Sequence, residues 1–266
     1  MEIDWKGHQI AIRQLGSGPA VVLLHGYPLD GAMWSGVARS LSSHLLVVKP
    51  DLPGHGANPA AAPARLEEHA DFLEAILETL PSPVGVAGFS MGGYILLALM
   101  KRRPQNVRAV ALVDTRATAD DEAGKAVRDT TIDMVRSGGA GAILDATTSH
   151  LLAPASLQNR DLVERVRRII LRQKPETIEA DLAAMRDRED STGSLPEISV
   201  PALVLVGEED VISPPAKCRE MADAIPGARL VTIPMAGHLT PMERPKAVAS
   251  ALSEFFGAAL GPSPPG

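Results

Sequence analysis

Gly88-Phe89-Ser90-Met91-Gly92 is a G-x-S-x-G motif that follows the apolar run Val84 to Ala87 directly. A serine hydroxyl is a poor nucleophile, so a chain that uses one must expose its oxygen and seat a base beside it. A sharp strand-to-helix turn does the exposing. That turn needs neighbours without side chains, and Gly88 and Gly92 supply them. Met91 to Met100 is apolar and free of proline, as a buried helix leaving the turn should be. Alone, such a motif is usually an ordinary glycine-rich turn; the strand before it and the helix after it make Ser90 a candidate nucleophile.

A serine nucleophile also needs a base, an orienter for the base and donors for the oxyanion. Seven histidines compete for the first role. His238, in Ala236-Gly237-His238-Leu239, follows the strand-like segment Arg229 to Ile233, and strand ends are where an open α/β sheet presents its catalysts. His8, His44 and His69 read as surface strand, loop and helix. His25 and His55, each followed by glycine in a tight loop, suit structural hydrogen bonds, and His150 falls in a helical region where it could line a pocket. Asp210, in Gly207-Glu208-Glu209-Asp210, and Asp114, which ends Val107 to Val113, both close an apolar strand, so position alone leaves the acid open. Glu208 and Glu209 read as solvated loop charges, and Asp51 as a turn-fixing acceptor for backbone N–H groups. For the oxyanion, Met91 N–H lies at the start of the elbow helix, where the dipole helps. The second donor should come from His25-Gly26-Tyr27-Pro28. Pro28 has no N–H, and the Tyr27 amide is selected.

The elements that must position these groups alternate between strand and helix, which predicts a parallel sheet covered on both faces. Gln9 to Gln14 alternates as a half-buried antiparallel strand, and Ala20 to Leu24 is a continuous apolar run buried on both faces. A helix is expected from Asp30 to Leu41, a strand at Leu45 to Val48 and a helix over Arg65 to Leu80. Val107 to Val113, Ala202 to Val206 and Arg229 to Ile233 read as further strands, and Pro245 to Phe256 as the last helix. Thr115 to Pro196 carries no continuous β run and predicts short helices inserted over one end of the sheet.

The chain has 266 residues, 45% hydrophobic and 22% charged, enough for one large α/β core with an insertion. Aromatic residues make up only 3% and the net charge is −6, which argues against stacking platforms or a polyanionic partner, so no nucleic acid is expected. The basic stretch Arg165-Val166-Arg167-Arg168 alternates with apolar positions like a solvated helix face. The single cysteine, Cys218, excludes an intrachain disulfide and falls in a helix-like segment. The charged segment Met1 to Lys6 lacks an apolar signal core, and no stretch is apolar enough to span a bilayer. A cytoplasmic protein without membrane partners is the expectation. No dinucleotide motif, P-loop or metal-spaced His/Cys cluster is visible, so no cofactor and no metal are expected.

The order Ser90, Asp210, His238, with His25-Gly26-Tyr27-Pro28 upstream, resembles the α/β-hydrolase superfamily over about residues 8 to 257. Pro50-Asp51-Leu52-Pro53-Gly54-His55-Gly56 and Gly237-His238 followed by Glu243-Arg244-Pro245 are similar to that family too. Within it the chain resembles small carboxylesterases, lactonases and enol-lactonases, and the cofactor-free haloperoxidase or perhydrolase relatives. The resemblance implies Asp210 as the acid, Tyr27 as the second oxyanion donor and a mostly parallel eight-stranded sheet. It also implies a core of residues 1–114 and 197–260, a helical cap at 115–196, and a tail at 261–266 outside both. Ser90 separates the chain from dehalogenases and epoxide hydrolases of this fold, which carry an aspartate nucleophile. Tyr27 and Tyr94, the only tyrosines, both lie outside the cap. The expected activity is a serine hydrolase acting on small-molecule carboxylic esters or lactones. Perhydrolysis on the same acyl-enzyme is the alternative, and a ligand receptor that kept the fold is the reading from another class. Met33, Trp34, Phe89, His150 and Ile212 are expected to shape an apolar acyl pocket under the cap.

Overall fold

The continuous apolar runs become strands buried on both faces, because alternate side chains of one strand feed different cores. In the computed structural model, which describes residues 1–261, Val22 and Leu24 join one apolar cluster while Val21 and Leu23 join the other. In chain order the elements are β1 (Glu2–Trp5), β2 (His8–Ala11), β3 (Arg13–Leu15), β4 (Ala20–Leu24), α1 (Ser35–Leu41), β5 (Leu46–Lys49), α2 (Leu66–Glu78), β6 (Val84–Phe89), α3 (Met91–Met100) and β7 (Val107–Val113). They continue with α4 (Glu122–Gly138), α5 (Leu144–Leu151), α6 (Arg160–Leu171), α7 (Pro175–Arg186), β8 (Ala202–Gly207), α8 (Pro215–Ala224), β9 (Arg229–Ile233), α9 (Thr240–Glu243) and α10 (Pro245–Leu260).

The main sheet runs β3-β5-β4-β6-β7-β8-β9. Every pairing in it is parallel except that of β3 with β5. It has seven strands rather than the eight the family resemblance implies, because the segment read as one strand, Gln9 to Gln14, divides at Ile12. β2 pairs with β1 in a separate hairpin, and β3 becomes the antiparallel edge of the main sheet. Ile12 between them is buried and donates its N–H to the Met1 carbonyl at 2.8 Å. The expected helix from Asp30 begins as a 3₁₀ turn, Gly31–Trp34, capped by the Asp30 carboxylate on Ala32 N–H.

Helix α2 places Leu66, His69, Ala70, Leu73 and Leu77 on its inward face, the i, i+3, i+4, i+7 stripe of an amphipathic helix. His69 is therefore fully buried rather than a surface residue. Between β7 and β8 the chain forms α4 to α7 and short 3₁₀ turns, without a strand. The C-terminal ends of β4, β6, β7, β8 and β9 lie at one edge of the parallel sheet, so the loops that follow them converge there. No described helix is long and apolar enough to cross a membrane. Residues 262–266, most of the expected tail, lie outside the described residues.

Candidate active site

Ser90 sits between β6 and α3 with φ 50° and ψ −114°, a backbone state costing of order 1–3 kcal/mol for a residue with a Cβ. Its neighbours pin it there. A Cβ on Gly88 would fall 2.4 Å from the Gly92 carbonyl oxygen, and one on Gly92 would fall 2.6 Å from that of His25. Strand, helix and the β4 loop thus meet at backbone contact distance, which only glycine permits. Ser90 N–H is held by the Val113 carbonyl at 2.9 Å, tying the turn to β7.

His238 follows β9, and its Nε2 lies 2.9 Å from Ser90 Oγ. Its Nδ1 lies 2.8 Å from Asp210 Oδ2. With Nδ1–H donating to the carboxylate, Nε2 is left to accept the serine proton. Asp210 Oδ1 accepts N–H groups from Ile212 at 2.8 Å and Ser213 at 2.9 Å. Burial pushes the Asp210 carboxyl up, but the His238 charge and hydrogen bond, with the two amides, outweigh it and hold the group below its ordinary range. The carboxylate is thus ionised and fixed while it faces the imidazole. Phe89 packs against the same ring at 5.1 Å between centroids.

Asp114, the rival acid, faces elsewhere. Its Oδ1 accepts Gly207 N–H at 2.9 Å, and its Oδ2 accepts the Thr240 hydroxyl. Complete burial and then the Asp210 charge raise its pKa well above the ordinary carboxylate value. It clasps the loops that carry Asp210 and His238 without touching the imidazole.

Met91 is the first residue of α3, so its N–H has no acceptor within the helix. Tyr27 N–H makes no hydrogen bond among the described residues. Gly26 brings the Tyr27 loop against the turn: a Cβ there would lie 3.0 Å from Ser90 Cβ. The Tyr27 loop and the first turn of α3 therefore meet beside the serine, each with an amide that has no acceptor among the described residues.

Ser90 and His238 open into a cavity of about 420 Å³, walled by Tyr27, Val127, Met134, Ile143, Leu182 and Met185 among others. His150 and Ile212 line it as expected. Met33, Trp34 and Phe89 do not: all three are buried in the core on one face of the sheet. Trp34 packs edge-on against Phe89 with centroids 6.4 Å apart, and the size and apolarity that suggested a pocket are satisfied by that packing. The sequence reading missed Tyr94, Arg116, Asp120 and Arg128 in the cavity wall; the i, i+4 spacing of Arg116 and Asp120 was the available signal.

Beneath the Tyr27 loop, His55 Nε2 meets Asp181 of α7 at 2.9 Å, and His25 Nε2 accepts Leu52 N–H at 2.9 Å. Both histidines have the structural roles expected of them. Asp51 fixes its turn by accepting N–H groups from Gly31 and Ala57. Cys218 is buried, and burial pushes its thiol far up, so it is not a nucleophile at neutral pH. Among the described residues no group of three or more His, Cys, Asp or Glu side chains could hold a metal ion.

Residues 19–245 match the family described as alpha/beta hydrolase fold. The chain is 30% identical to the pimeloyl-[acyl-carrier protein] methyl ester esterase of Nitrosomonas europaea, over 91% of this chain and 97% of that one. Among solved structures, a thermophilic esterase from Thermogutta terrifontis, determined with malate bound, superposes with TM-score 0.92 and 35% identity, covering 97% of this chain and 98% of that one. The enol-lactonase from Burkholderia xenovorans LB400 superposes with TM-score 0.88 and 27% identity, covering 96% and 99%.

Proposed function

We propose that this chain, which belongs to the α/β-hydrolase family, is a serine hydrolase that cleaves carboxylic esters or lactones through an acyl-enzyme on Ser90. The observation that carries this reading is the unbroken line from Asp210 through His238 to Ser90, with hydrogen bonds of 2.8 and 2.9 Å. The similarity to an esterase and an enol-lactonase supports it.

His238 takes the Ser90 proton on Nε2 as Oγ attacks the carbonyl carbon. The oxygen of the tetrahedral intermediate is held by Tyr27 and Met91 N–H, with the N-terminal end of α3 adding its dipole. His238 then protonates the leaving alkoxide, which departs or, in a lactone, swings away on the same chain. Water enters, gives a proton to His238 and attacks the acyl carbon, and collapse returns the proton to Ser90. Asp210 holds the imidazole tautomer and balances the imidazolium formed in each half-reaction. Residues 115–196 act as a cap over the core of 1–114 and 197–260. α4, α5 and α7 contribute most of the apolar wall, which suits small or medium acyl groups.

A panel of short acyl esters, lactones and amides, with and without peroxide, tests the reading. Ester or lactone turnover that Ser90→Ala lowers by several orders of magnitude is expected, with a residue of about 10³ to 10⁴ over water from the oxyanion donors. Near-normal turnover in a folded Ser90→Ala protein would refute it. A product shift to peracid when peroxide is present would move the reaction to perhydrolysis on the same acyl-enzyme.

A further inference from the structure

The cavity wall carries an excess of fixed positive charge that the ester chemistry does not use. Arg116 Nη2 and Arg188 Nη2 approach Asp120 Oδ1 at 2.5 and 3.0 Å, and Arg128 Nε approaches Oδ2 at 3.1 Å. Three guanidinium groups thus share one buried carboxylate, leaving two positive charges uncompensated. Burial raises the Asp120 carboxyl, but its partners, Arg188 and Arg128 foremost, hold it below its ordinary range, so it stays an anion.

Neighbouring acids are committed elsewhere. Asp121 caps α4 on Gly124 N–H, Glu122 pairs with Lys125, Asp129 with Arg186, and Asp181 with His55. Arg188 donates from its terminal nitrogens to the Met185 and Thr118 carbonyls and lies over the Tyr94 ring, leaving its buried Nε without a partner. Arg128 and Arg116 differ from it because both line the cavity. The terminal nitrogens of Arg128 have no hydrogen-bond partner among the described residues, and Arg116 Nε is buried without one. The Tyr27 hydroxyl is likewise buried in the cavity wall with no partner. Burial pushes this phenol up, the Arg128 charge acts against that and the Asp181 charge adds to the rise, which places the phenol within electrostatic reach of both groups. The Tyr27 phenol and the terminal nitrogens of Arg128 therefore border the cavity that holds Ser90 without a protein acceptor among the described residues. A buried donor such as the Tyr27 hydroxyl is costly in that state unless a ligand satisfies it.

We propose that Arg128, with Arg116 and the Tyr27 hydroxyl, forms a carboxylate-binding subsite, so that the preferred substrates carry a free carboxylate on the acyl chain, as half-esters of short dicarboxylic acids do. The inference rests on the ester-hydrolase reading of Ser90 for its catalytic consequence, but not for its binding chemistry. A guanidinium edge matches a carboxylate in two parallel N–H···O bonds, and a cavity walled by apolar side chains strengthens that attraction by excluding water. The apolar stretch between the subsite and Ser90 would hold the methylene chain.

The test compares the monomethyl esters of succinic, glutaric and adipic acids with their dimethyl counterparts, which are uncharged. In wild type, kcat/KM should favour the best monomethyl ester over its dimethyl partner by tenfold or more, mainly through KM. That preference should shrink as salt is raised, as far as ions reach the site. Arg128→Gln should cut the ratio of the two kcat/KM values at least fivefold, with Arg128→Lys in between, whereas a merely structural role would lower both values together. Calorimetry on Ser90→Ala with the same intact esters reads binding without turnover. The monomethyl ester should bind at least tenfold tighter than the dimethyl ester. Equal binding of the two, or a wild-type ratio near one, overturns the subsite. A binding preference in Ser90→Ala with no turnover by wild type would support the subsite and contradict the ester-hydrolase reading.

Discussion

His69 offers a measurable consequence of burial at the seam between α2 and α7. Its ring is fully buried, its Nε2 lies 3.1 Å from the Pro63 carbonyl, and its Nδ1 has no partner. Asp181 Oδ1 lies 3.9 Å away, and the His55 ring competes for the same carboxylate. Desolvation outweighs the attraction of Asp181 and lowers the His69 pKa from 6.5 to about 4. Because the folded value is depressed, the unfolded chain takes up the proton first as the solution is acidified. The neutral ring's contribution is therefore intact above pH 6.5 and is lost progressively as pH falls toward about 4. Integrating the two titrations, acidification from about pH 7 to 5 costs the folded state about 1.8 kcal/mol at this one site, rising toward roughly 3.4 kcal/mol below both pKa values.

Other groups titrate in the same interval. His25 is also lowered to about 4, first by burial and then by the His55 charge. Asp114 is raised and gains stability on acidification. A single pH profile of the wild type mixes these signs, so a double difference is needed. Urea unfolding of wild type and His69→Asn, followed through Trp5 and Trp34 fluorescence at pH 7 and pH 5, isolates the site. The stability of wild type relative to His69→Asn should fall by about 2 kcal/mol between the two pH values, whatever the variant costs at pH 7. A relative stability that stays constant within about 0.5 kcal/mol would show that His69 binds its proton equally well folded and unfolded, and would refute the desolvation argument.

Two further outcomes follow from the site geometry. Asp210→Asn should lower kcat by roughly 10⁴ by disturbing the His238 tautomer, while Asp114→Asn should stay within about tenfold of wild type because Asp114 bonds Gly207 and Thr240 rather than the imidazole; steady-state kinetics of both variants on one ester decides the ranking. Gly92→Ala sets a Cβ 2.6 and 2.8 Å from the His25 and Leu24 carbonyl oxygens, so it should cost about 1–3 kcal/mol in urea unfolding and depress turnover by forcing α3 away from the Tyr27 loop.

Much of the sheet was legible because β4, β6 and β8, and β7 beyond Arg108, are covered on both faces and so read as apolar runs. Ser90 and His238 were legible because each follows a strand closely. Position alone left the acid open, since Asp114 and Asp210 each end a strand, and only the family resemblance pointed to Asp210. The choice turns on which carboxylate the loop after β8 delivers to the imidazole, a fact of tertiary geometry. The division of Gln9 to Gln14 escaped notice because Ile10 and Ile12 are both buried, which fits one continuous strand as well as two. Met33, Trp34 and Phe89 show the same gap: side-chain type predicts burial but not whether the residue packs in the core or faces a cavity. The basic stretch Arg165-Val166-Arg167-Arg168 looked like a solvated helix face, and Arg165 and Arg168 are exposed in that way. Arg116, Arg128 and Arg188 gather around Asp120 only once β7, α4 and the segment after α7 are packed together.

The most direct test of the central claim is covalent trapping of the nucleophile. Wild type and Ser90→Ala would each be treated with a dialkyl p-nitrophenyl phosphate, which phosphorylates an activated serine and releases nitrophenol. Intact-mass measurement and peptide mapping would then locate the adduct. The geometry of Ser90, His238 and Asp210 predicts one dialkylphosphoryl group per chain, on Ser90, with activity lost in step with labelling and no adduct in Ser90→Ala. An adduct on another residue that tracks the loss of activity, or full labelling of Ser90 with ester turnover intact, would contradict it.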